Sequence, residues 1–243
     1  KTYENVKESN IDLENTIHKR TNELKKVNKE LDRLFYRSSH DFRRPLTTLM
    51  GINEVARLMD LREDTMQLFK MMNTTVGSMD NMLKKFYNLY EISNYLEEKR
   101  IVSLSAIVEK YEDQLLKDGH IIKSVVNLKK YDDMDHKNSL IDIILLNIIE
   151  NAILFSSDKN AEISLKITEN KNFLNIQVED KGIGIDEIYY DRIFEMYFRS
   201  NERPHGNGLG LYVVKTALDK LHGNIKVESK KNNFTQFNIS IPL

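Results

Sequence analysis

Heptad spacing of apolar side chains near the N-terminus is the feature that most restricts how this chain folds. One series of positions lies alternately three and four residues apart: Tyr3, Val6, Asn10, Leu13, Ile17, Arg20, Leu24, Val27, Leu31 and Leu34. Eight of these ten residues are apolar, and Asn10 and Arg20 are the exceptions. This spacing is typical of a coiled-coil seam, in which polar members such as Asn10 and Arg20 can fix the register. Before Gly77, only Pro45 and Gly51 interrupt a composition that favours helix. The pattern therefore predicts a coiled-coil helix over residues 1–37.

A second amphipathic helix is predicted after a polar turn near residues 60–64. Its apolar positions again alternate three and four apart: Phe69, Met72, Val76, Met79, Leu83, Phe86 and Tyr90. Two helices joined by a short turn form an antiparallel hairpin, and a hairpin alone leaves its seam half covered. We therefore expect residues 38–97 of two chains to close a four-helix bundle as a homodimer. The alternative is that both helices pack on another part of the same chain.

The remaining residues, 98–243, show the mixed periodicity of a separate domain. Strands are predicted at residues 162–167, 173–178, 225–229 and 234–241, and helices near residues 105–117, 139–155 and 209–221. The fold class is therefore α+β: a long helical hairpin with a coiled-coil extension, followed by an α/β sandwich with helices on one face of its sheet. The charged segment near residues 94–100 is the predicted linker and hinge.

Composition excludes several kinds of function. The formal net charge of −1 provides no basic excess for binding nucleic acid. The absence of cysteine excludes disulfides, zinc–thiolate sites and thiol catalysis. The most apolar stretch, residues 141–155, carries polar and charged side chains and is too short to span a bilayer. Because the first residues already have a helical pattern, we expect a fragment whose upstream module is missing.

His40 is the first candidate for chemistry. The predicted seam continues through Ser38, Phe42, Leu46, Leu49, Asn53 and Ala56. His40 stands two residues from both Ser38 and Phe42, about 200° around the helix, so its imidazole is expected to face solvent. Arg43 and Arg44 share its face and would lower the cost of bringing a triphosphate close. Asp41 can accept a hydrogen bond from Nδ1–H, which leaves Nε2 as the nucleophile. The alternative is an ordinary solvated histidine.

Amide and carboxylate oxygens suggest a second site further along the chain. Asn147 and Asn151 share one helix face, and their oxygens suit a Mg²⁺ that phosphates also hold. Asp180 ends a predicted strand and can accept a hydrogen bond from an exocyclic amine such as that of adenine. Gly182 and Gly184 would let the backbone approach a ligand. Taken singly, Asn147 and Asn151 are also explained as ordinary solvated asparagines, and the segment Asp180–Gly184 as a tight turn.

A glycine-rich segment containing Gly206, Gly208 and Gly210 leads into an apolar helix. Backbone N–H groups at a helix N-terminus attract phosphate. The segment does not follow a strand of a βαβ unit and contains no Walker lysine, so it predicts neither a Rossmann nor a Walker site. Residues 186–205 are the predicted lid, from which Arg199 can reach the γ-phosphate.

Together and in this order, the motifs resemble those of the two-component sensor histidine kinases. The string at His40 is similar to the H box of that family, and Phe194–Arg199 to its F box. The N box and the two glycine boxes are similar to Asn147–Asn151, Asp180–Gly184 and Gly206–Gly210. The resemblance implies a dimerisation and phosphoacceptor hairpin followed by a Bergerat-type ATP-binding domain. It further implies autophosphorylation of His40 and transfer to an aspartate of a response-regulator receiver domain.

The same resemblance assigns the cofactors, ATP and Mg²⁺, to particular residues. Mg²⁺ would be held by Asn151 and Asn147. ATP would be bound through these residues and through the following set: Asp180, Gly182, Gly184, Arg199, Gly206, Gly208 and Gly210. The missing upstream module would be a sensor, the fragment would be cytoplasmic, and the complete protein would be soluble or anchored in a membrane.

Two departures from the family pattern and two rival functions remain. Leu154 replaces a basic residue that contacts phosphate, so nucleotide affinity is expected to be weaker unless Arg199 or Lys159 compensates. Arg44 replaces a Thr or Asn that positions water, which predicts feeble phosphatase activity. One rival is an ATPase or chaperone of the wider Bergerat group. The other is a dimeric scaffold that binds nucleotide without transferring phosphate.

Overall fold

The structure of the chain is a computed structural model. It describes residues 17–21, 42–43, 46–56, 63–95, 103–128, 137–200 and 206–243. His40, Asp41 and Arg44 lie outside these residues, as do most of the predicted coiled coil and residues 96–100 of the predicted linker. The chain divides into two compact units, Lys1–Val76 and Gly77–Leu243. The domain boundaries expected after residues 37 and 97 stay predictions.

Helix α1, residues 46–56, carries the predicted seam in the first unit. Three of its four seam positions, Leu46, Asn53 and Ala56, are at most 4% exposed. The Asn53 side-chain amide donates a hydrogen bond to the backbone carbonyl of Phe69 at 2.9 Å. Other apolar side chains of this unit stay accessible, each at least 38% exposed: Leu49, Met50, Ile52, Val55, Leu68 and Met71.

Helix α2, Glu63–Ser93, begins inside the segment predicted as a turn. Val76 is its buried seam residue in the first unit, at 4% exposed. In the second unit, the most buried residues of α2 are instead Lys85 and Ile92, while Leu89 packs against the same core as Ile92. The spacing of four and three residues places these three side chains on one face of the helix. The end of α2 therefore packs within the second unit through a face that the seam pattern did not predict.

The second unit contains a five-stranded sheet. Its strands are β1 (Ile121–Asn127), β2 (Glu162–Glu169), β3 (Phe173–Asp180), β4 (Asn224–Lys230) and β5 (Phe234–Pro242). Their spatial order is β1-β2-β3-β5-β4, with β1 parallel to β2 and every other neighbouring pair antiparallel. Along β2 and β3 every second residue is fully buried, as expected when one face of a sheet packs on helices. The four strands predicted from alternation are confirmed, whereas β1 was not predicted.

Three helices cover the buried face of the sheet: α3 (Leu104–Lys117), α4 (Lys137–Leu154) and α5 (Gly210–Lys220). The Ser103 hydroxyl accepts a hydrogen bond from the Ala106 N–H and caps α3 at its first turn. Helix α4 is apolar around most of its circumference, which is typical of a helix enclosed on several sides. It packs against both β3 and α5. The predicted arrangement of helices on one side of a sheet is confirmed.

The turn after α5 places a histidine in a left-handed backbone conformation. The φ angle of His222 is +54°, and its N–H donates to the carbonyl of Asp219 at 3.2 Å. The Gly223 N–H donates to the Leu218 carbonyl at 2.8 Å. These two bonds form a Schellman motif, which satisfies carbonyls at the end of the helix and directs the chain into β4. His222 therefore has a structural position at the end of α5.

None of the helices within the described ranges has the length and apolarity that a bilayer crossing requires.

Candidate functional site

The C-terminal half of α4 faces the glycine-rich segment that precedes α5. A β-carbon at Gly210 would lie 3.4 Å from Oδ1 of Asn151 and 3.6 Å from Oδ1 of Asn147. A β-carbon at Gly206 would lie 3.5 Å from a methyl group of Leu154, one turn further along α4. The structure therefore brings Asn147 and Asn151 against Gly210, although more than fifty residues separate the two segments in sequence. Leu154 places an apolar side chain at the position where the sensor histidine kinases, which the sequence resembles, have a basic one.

Asp180 ends β3 with its carboxyl group buried. The residue is 7% exposed, and its Oδ1 atom is buried with no hydrogen-bond partner among the described residues. Burial, and to a lesser extent the negative charge of Glu179, raises the pKa of Asp180 from its ordinary value of 3.8 to about 7. A buried oxygen without a donor is costly unless a ligand supplies one. This atom fits an exocyclic amine of a bound base.

Gly182 holds the turn after Asp180 against the end of α4. A β-carbon there would lie 2.5 Å from Oδ1 of Asp180 and 2.6 Å from the carbonyl oxygen of Phe155. The Ile183 N–H donates to that same carbonyl at 3.1 Å. Only glycine lets these groups approach so closely. Gly182 therefore fixes the position of the Asp180 carboxyl relative to α4.

Gly184 meets a different part of the domain. Its φ angle is +68°, and a β-carbon there would lie 2.4 Å from the carbonyl oxygen of Lys230, at the end of β4. The Asn232 N–H, in the turn between β4 and β5, donates to the carbonyl of Ile183 at 2.7 Å. These contacts give Gly184 a packing role against the hairpin. Its predicted part in binding nucleotide stays a prediction.

Hydrogen bonds attach the start of the predicted lid, and Ile185 just before it, to the sheet. The Ile185 N–H donates to the Ser229 hydroxyl at 2.8 Å, and the Tyr190 hydroxyl donates to the Ser229 carbonyl at 2.9 Å. Between these bonds lies a short 3₁₀-helix, Glu187–Tyr189. The base of the lid is therefore anchored to β4.

Further along, the lid packs against Gly208. Tyr197 has a φ angle of +64°, and its N–H donates to the Gly208 carbonyl at 2.9 Å. A β-carbon at Gly208 would lie 2.7 Å from the Tyr197 carbonyl carbon and 2.9 Å from the Phe198 carbonyl oxygen. A left-handed tyrosine is strained, and such strain is often found at functional sites. The backbone around Tyr197 thus couples the F-box segment to the glycine turn.

Arg199 lies in an open cleft of about 560 Å³ on the lid. The cleft is lined by Tyr189, Arg192, Glu195, Met196, Tyr197, Phe198 and Arg199. The Arg192 guanidinium stacks 4.6 Å from the centre of the Phe198 ring. Phe198 thus packs within the lid, whereas contact between Arg199 and phosphate stays a prediction.

Sequence reasoning missed Lys85 as a member of this site. Its ammonium donates hydrogen bonds to Oδ1 of Asn147, at 2.7 Å, and to the carboxylate of Glu150. Lys85 falls between the predicted seam positions Leu83 and Phe86, and the seam pattern gives it no partner. Only a contact 62 residues away in sequence shows otherwise.

The residues at this site fit a magnesium nucleotide better than a metal alone. Within the described ranges, no group of three His, Asp or Glu side chains is placed to hold a metal ion. The amide oxygens of Asn147 and Asn151 are the available neutral ligands, and Mg²⁺ often completes its shell with phosphates and water. A metal at this site would therefore depend on the nucleotide.

Comparison with known families identifies the domain that holds this site. A family described as "Histidine kinase-, DNA gyrase B-, and HSP90-like ATPase" matches residues 136–243. This part of the chain is thus similar to a family of ATPase domains. The match includes α4, the Asp180 turn, the lid and α5. It begins after β1, which therefore belongs to the sheet but not to the matched segment.

Curated relatives of the chain are sensor histidine kinases. The autoinducer 2 sensor kinase/phosphatase LuxQ of Vibrio vulnificus strain YJ016 is 27% identical over 235 residues, covering 84% of this chain and 26% of that protein. Histidine kinase P4 of Formosa agariphila is 24% identical and covers 94% of this chain and 17% of that protein. The chain thus spans about a quarter or less of the length of these relatives. The similarity covers a much larger part of the chain than the ATPase domain.

Solved structures show the same fold. Full-length ShkA in complex with AMPPNP has a TM-score of 0.63 at 19% identity and covers 86% of this chain and 45% of that one. The histidine kinase AdeS of Acinetobacter baumannii has a TM-score of 0.55 at 22% identity, with coverage of 84% and 97%. The mixed α+β fold expected from the sequence for residues 98–243 is therefore confirmed.

Proposed function

We propose that this chain is an ATP-dependent protein-histidine kinase that phosphorylates its own His40. It then passes the phosphoryl group to an aspartate on a response-regulator receiver domain. The observation that carries the proposal is the convergence of Asn147 and Asn151 on Gly210, in a segment that matches this ATPase family and also contains the buried, unpaired Oδ1 of Asp180. These residues supply an acceptor for an adenine amine and phosphate-binding backbone.

The extent of the similarity favours a histidine kinase over other ATPases of the family. Alignments with sensor kinases cover between 84% and 94% of the chain, whereas the ATPase domain begins at residue 136. The N-terminal region therefore shares sequence with sensor kinases as well. A gyrase or a chaperone has no need of a histidine close to two arginines, as His40 is to Arg43 and Arg44 in the sequence.

Phosphoryl transfer requires in-line positioning more than covalent chemistry by the protein. In the proposed step, the Nε2 lone pair of His40 forms a bond to the γ-phosphorus. The bond from that phosphorus to the β–γ bridging oxygen breaks, and ADP leaves with the electron pair. Asp41 keeps the proton on Nδ1 and orients the ring. Bound Mg²⁺, held through Asn151 and Asn147, would neutralise charge on the phosphates.

Backbone donors at the start of α5 would contribute to the same transition state. Helix N-termini stabilise negative charge because their first N–H groups are unpaired. The side chain of Asn207 accepts a hydrogen bond from the Leu209 N–H at 3.2 Å and shapes the turn before Gly210. Leu209 is fully buried and anchors this turn in the domain.

Dimerisation is the expected assembly of the hairpin. The apolar side chains left accessible on α1 and α2, among them Ile52, Val55, Leu68 and Met71, are between 52% and 67% exposed. A second copy would cover such residues in a four-helix bundle. We therefore expect sedimentation equilibrium to yield about twice the 28.5 kDa mass of one chain. Val55→Glu and Met71→Glu together should shift the mass toward that of a monomer, while a persistent monomer in the wild type would contradict a dimer.

Labelling with γ-³²P-ATP tests the proposed activity. The wild type should acquire label that is stable to alkali and labile to acid, as expected of phosphohistidine. His40→Gln should abolish this label while changing nucleotide affinity less than about twofold, because the nucleotide site lies in another part of the chain. His18→Gln, a change at an exposed histidine, should label like the wild type.

The same experiment separates the rival functions. Release of free phosphate without protein label would indicate an ATPase, and neither label nor phosphate would indicate a nucleotide-binding scaffold. Addition of a phosphorylatable receiver domain should move the label from the chain to an aspartate. Undiminished labelling of His40→Gln would refute His40 as the acceptor.

A further inference from the structure

The C-terminal part of α2 carries a cation into the candidate nucleotide site. Lys85 is only 5% exposed, although it lies on a long helix whose neighbouring residue Lys84 has a side chain 64% exposed. On the same face of the helix, Ile92 is 1% exposed and belongs to the core of the sheet domain. The packing of Ile92 thus holds Lys85 against α4.

The ammonium group of Lys85 is bound to two oxygens of α4. It donates to Oδ1 of Asn147 at 2.7 Å and forms an ion pair with the carboxylate of Glu150. The Asn147 side-chain amide donates in turn to the Ile143 carbonyl at 2.7 Å, which directs its oxygen toward the lysine. Asn147 is fully buried under this contact. Lys85 therefore covers the oxygen that the proposed function assigns to Mg²⁺.

Oδ1 of Asn147, which accepts the hydrogen bond from Lys85, lies next to the turn at Gly210 that is proposed to bind phosphate. The space in front of Gly210 is bounded by Oδ1 of Asn147 and Oδ1 of Asn151, 3.6 Å and 3.4 Å from the β-carbon position. A divalent cation on these oxygens would be repelled by an ammonium group bound to one of them. Asn147 therefore cannot bind the Lys85 ammonium group and a divalent cation with full affinity at the same time.

We propose that Lys85 is an internal competitor of the divalent metal, and that binding of Mg²⁺ with nucleotide displaces it and releases the end of α2 from α4. This inference rests on the proposed nucleotide function and adds a regulatory step to it. The site would then bind magnesium nucleotide and α2 in competition. Nucleotide without a divalent cation would leave the Lys85 contact in place.

The alternative is that Lys85 supplies the basic residue missing at Leu154 and binds phosphate directly. The contacts favour competition, because the ammonium is already neutralised by Glu150 and directed at a metal-ligand oxygen. The two roles predict opposite effects of removing the charge. An experiment on nucleotide affinity therefore decides between them.

Lys85→Met removes the charge while keeping most of the length of the side chain. With Mg²⁺ present, the variant should bind a fluorescent, non-hydrolysable ATP analogue about tenfold more tightly than the wild type, and the difference should vanish in EDTA. Lys84→Met is the matched control, since Lys84 is exposed and paired with Asp80 at 2.8 Å, and its affinity should stay within about twofold of the wild type. Equal or weaker binding by Lys85→Met in Mg²⁺ would overturn the proposal.

Chemical modification of the wild type tests the displacement without a variant. Lys85 should be acetylated slowly by an amine-reactive ester in the free protein, because it is buried and paired. Magnesium with the ATP analogue should accelerate this acetylation several-fold, as measured by peptide mass spectrometry, whereas the analogue in EDTA should not. Lys84 is the internal reference and should react equally in all conditions. An unchanged rate at Lys85 would also overturn the proposal.

These outcomes are distinct from failure of the proposed function. If no form of the protein binds nucleotide at any magnesium concentration, the nucleotide function itself is wrong and the competition falls with it. If the wild type binds magnesium nucleotide as tightly as Lys85→Met does, only the competition is wrong.

Discussion

Replacement of Asp180 by asparagine is expected to stabilise the protein at pH 8 while weakening its binding of nucleotide. Burial raises the pKa of this carboxyl to about 7. Between about pH 4 and pH 7 the folded state retains a proton that the unfolded chain releases, so wild-type stability falls as the pH rises through this range. Asparagine does not ionise. The variant should therefore gain up to about 4 kcal/mol at pH 8, and the gain should shrink toward zero near pH 4.

The loss of nucleotide affinity has a separate cause. A carboxylate that accepts a hydrogen bond from an adenine amine contributes about 1.5–3 kcal/mol, and a neutral amide contributes less. We expect Asp180→Asn to bind ATP roughly ten to a hundred times more weakly at pH 8. Urea unfolding at several pH values and calorimetric titration with ATP measure the two effects. Glu179→Gln, a change to the adjacent carboxylate, should leave ATP affinity unaltered.

Higher stability together with weaker ATP binding in Asp180→Asn would distinguish a binding residue from one that only supports the fold. A residue that only supports the fold would lose stability and affinity together. A variant that is less stable than the wild type at pH 8 would show that the Asp180 carboxylate receives stabilising bonds in the free protein, contrary to the orphaned Oδ1 seen here.

Gly184→Ala is expected to destabilise the domain by about 3 kcal/mol. A left-handed conformation costs a residue with a β-carbon about 1–2 kcal/mol. The added carbon would also meet the Lys230 carbonyl oxygen at 2.4 Å, and the forced backbone shift adds about 1–3 kcal/mol. Thermal or urea unfolding measures the loss. Gly77→Ala is the contrasting control: it lies within α2 with no atom within 4 Å of its β-carbon position, and should gain about 0.5–1 kcal/mol.

Nucleotide titration of folded Gly184→Ala then separates packing from binding. If Gly184 acts only through the β4–β5 hairpin, ATP affinity of the folded protein should change less than about threefold. A larger loss would support the contact with nucleotide that was predicted from sequence. A fully stable Gly184→Ala would contradict the close approach to Lys230.

Most of the sheet-containing domain could be predicted because its elements differ strongly in the polarity of their two faces. Alternation in β2, β3, β4 and β5 reflects one buried and one accessible face, and each strand was predicted within a few residues. Strand β1 was missed because it lies at the edge of the sheet. Its Ile121 and Val125 are 49% and 57% exposed, so apolar residues occupy both of its faces and the alternation is lost.

Several residues of the candidate site were predicted individually, but their arrangement in space was not. Motif spacing placed Asn147, Asn151 and Asp180 on suitable elements, and the structure brings the two asparagines to Gly210. Whether His40 lies within reach of them is outside the described residues. Spacing could not distinguish Gly182, which holds the Asp180 carboxyl, from Gly184, which packs on a hairpin almost fifty residues away in sequence.

By itself, the sequence determined four of the five strands and the helices that cover the sheet. It also determined which side chains could bind phosphate, metal or base, because these properties follow from periodicity and from local chemistry. Only the tertiary structure decided that Lys85 is buried on Asn147 and Glu150, and that Asp180 has no partner for its oxygen. The physical reason is that burial and pairing depend on which distant segment covers each face of an element. The pattern of a single element does not contain that information.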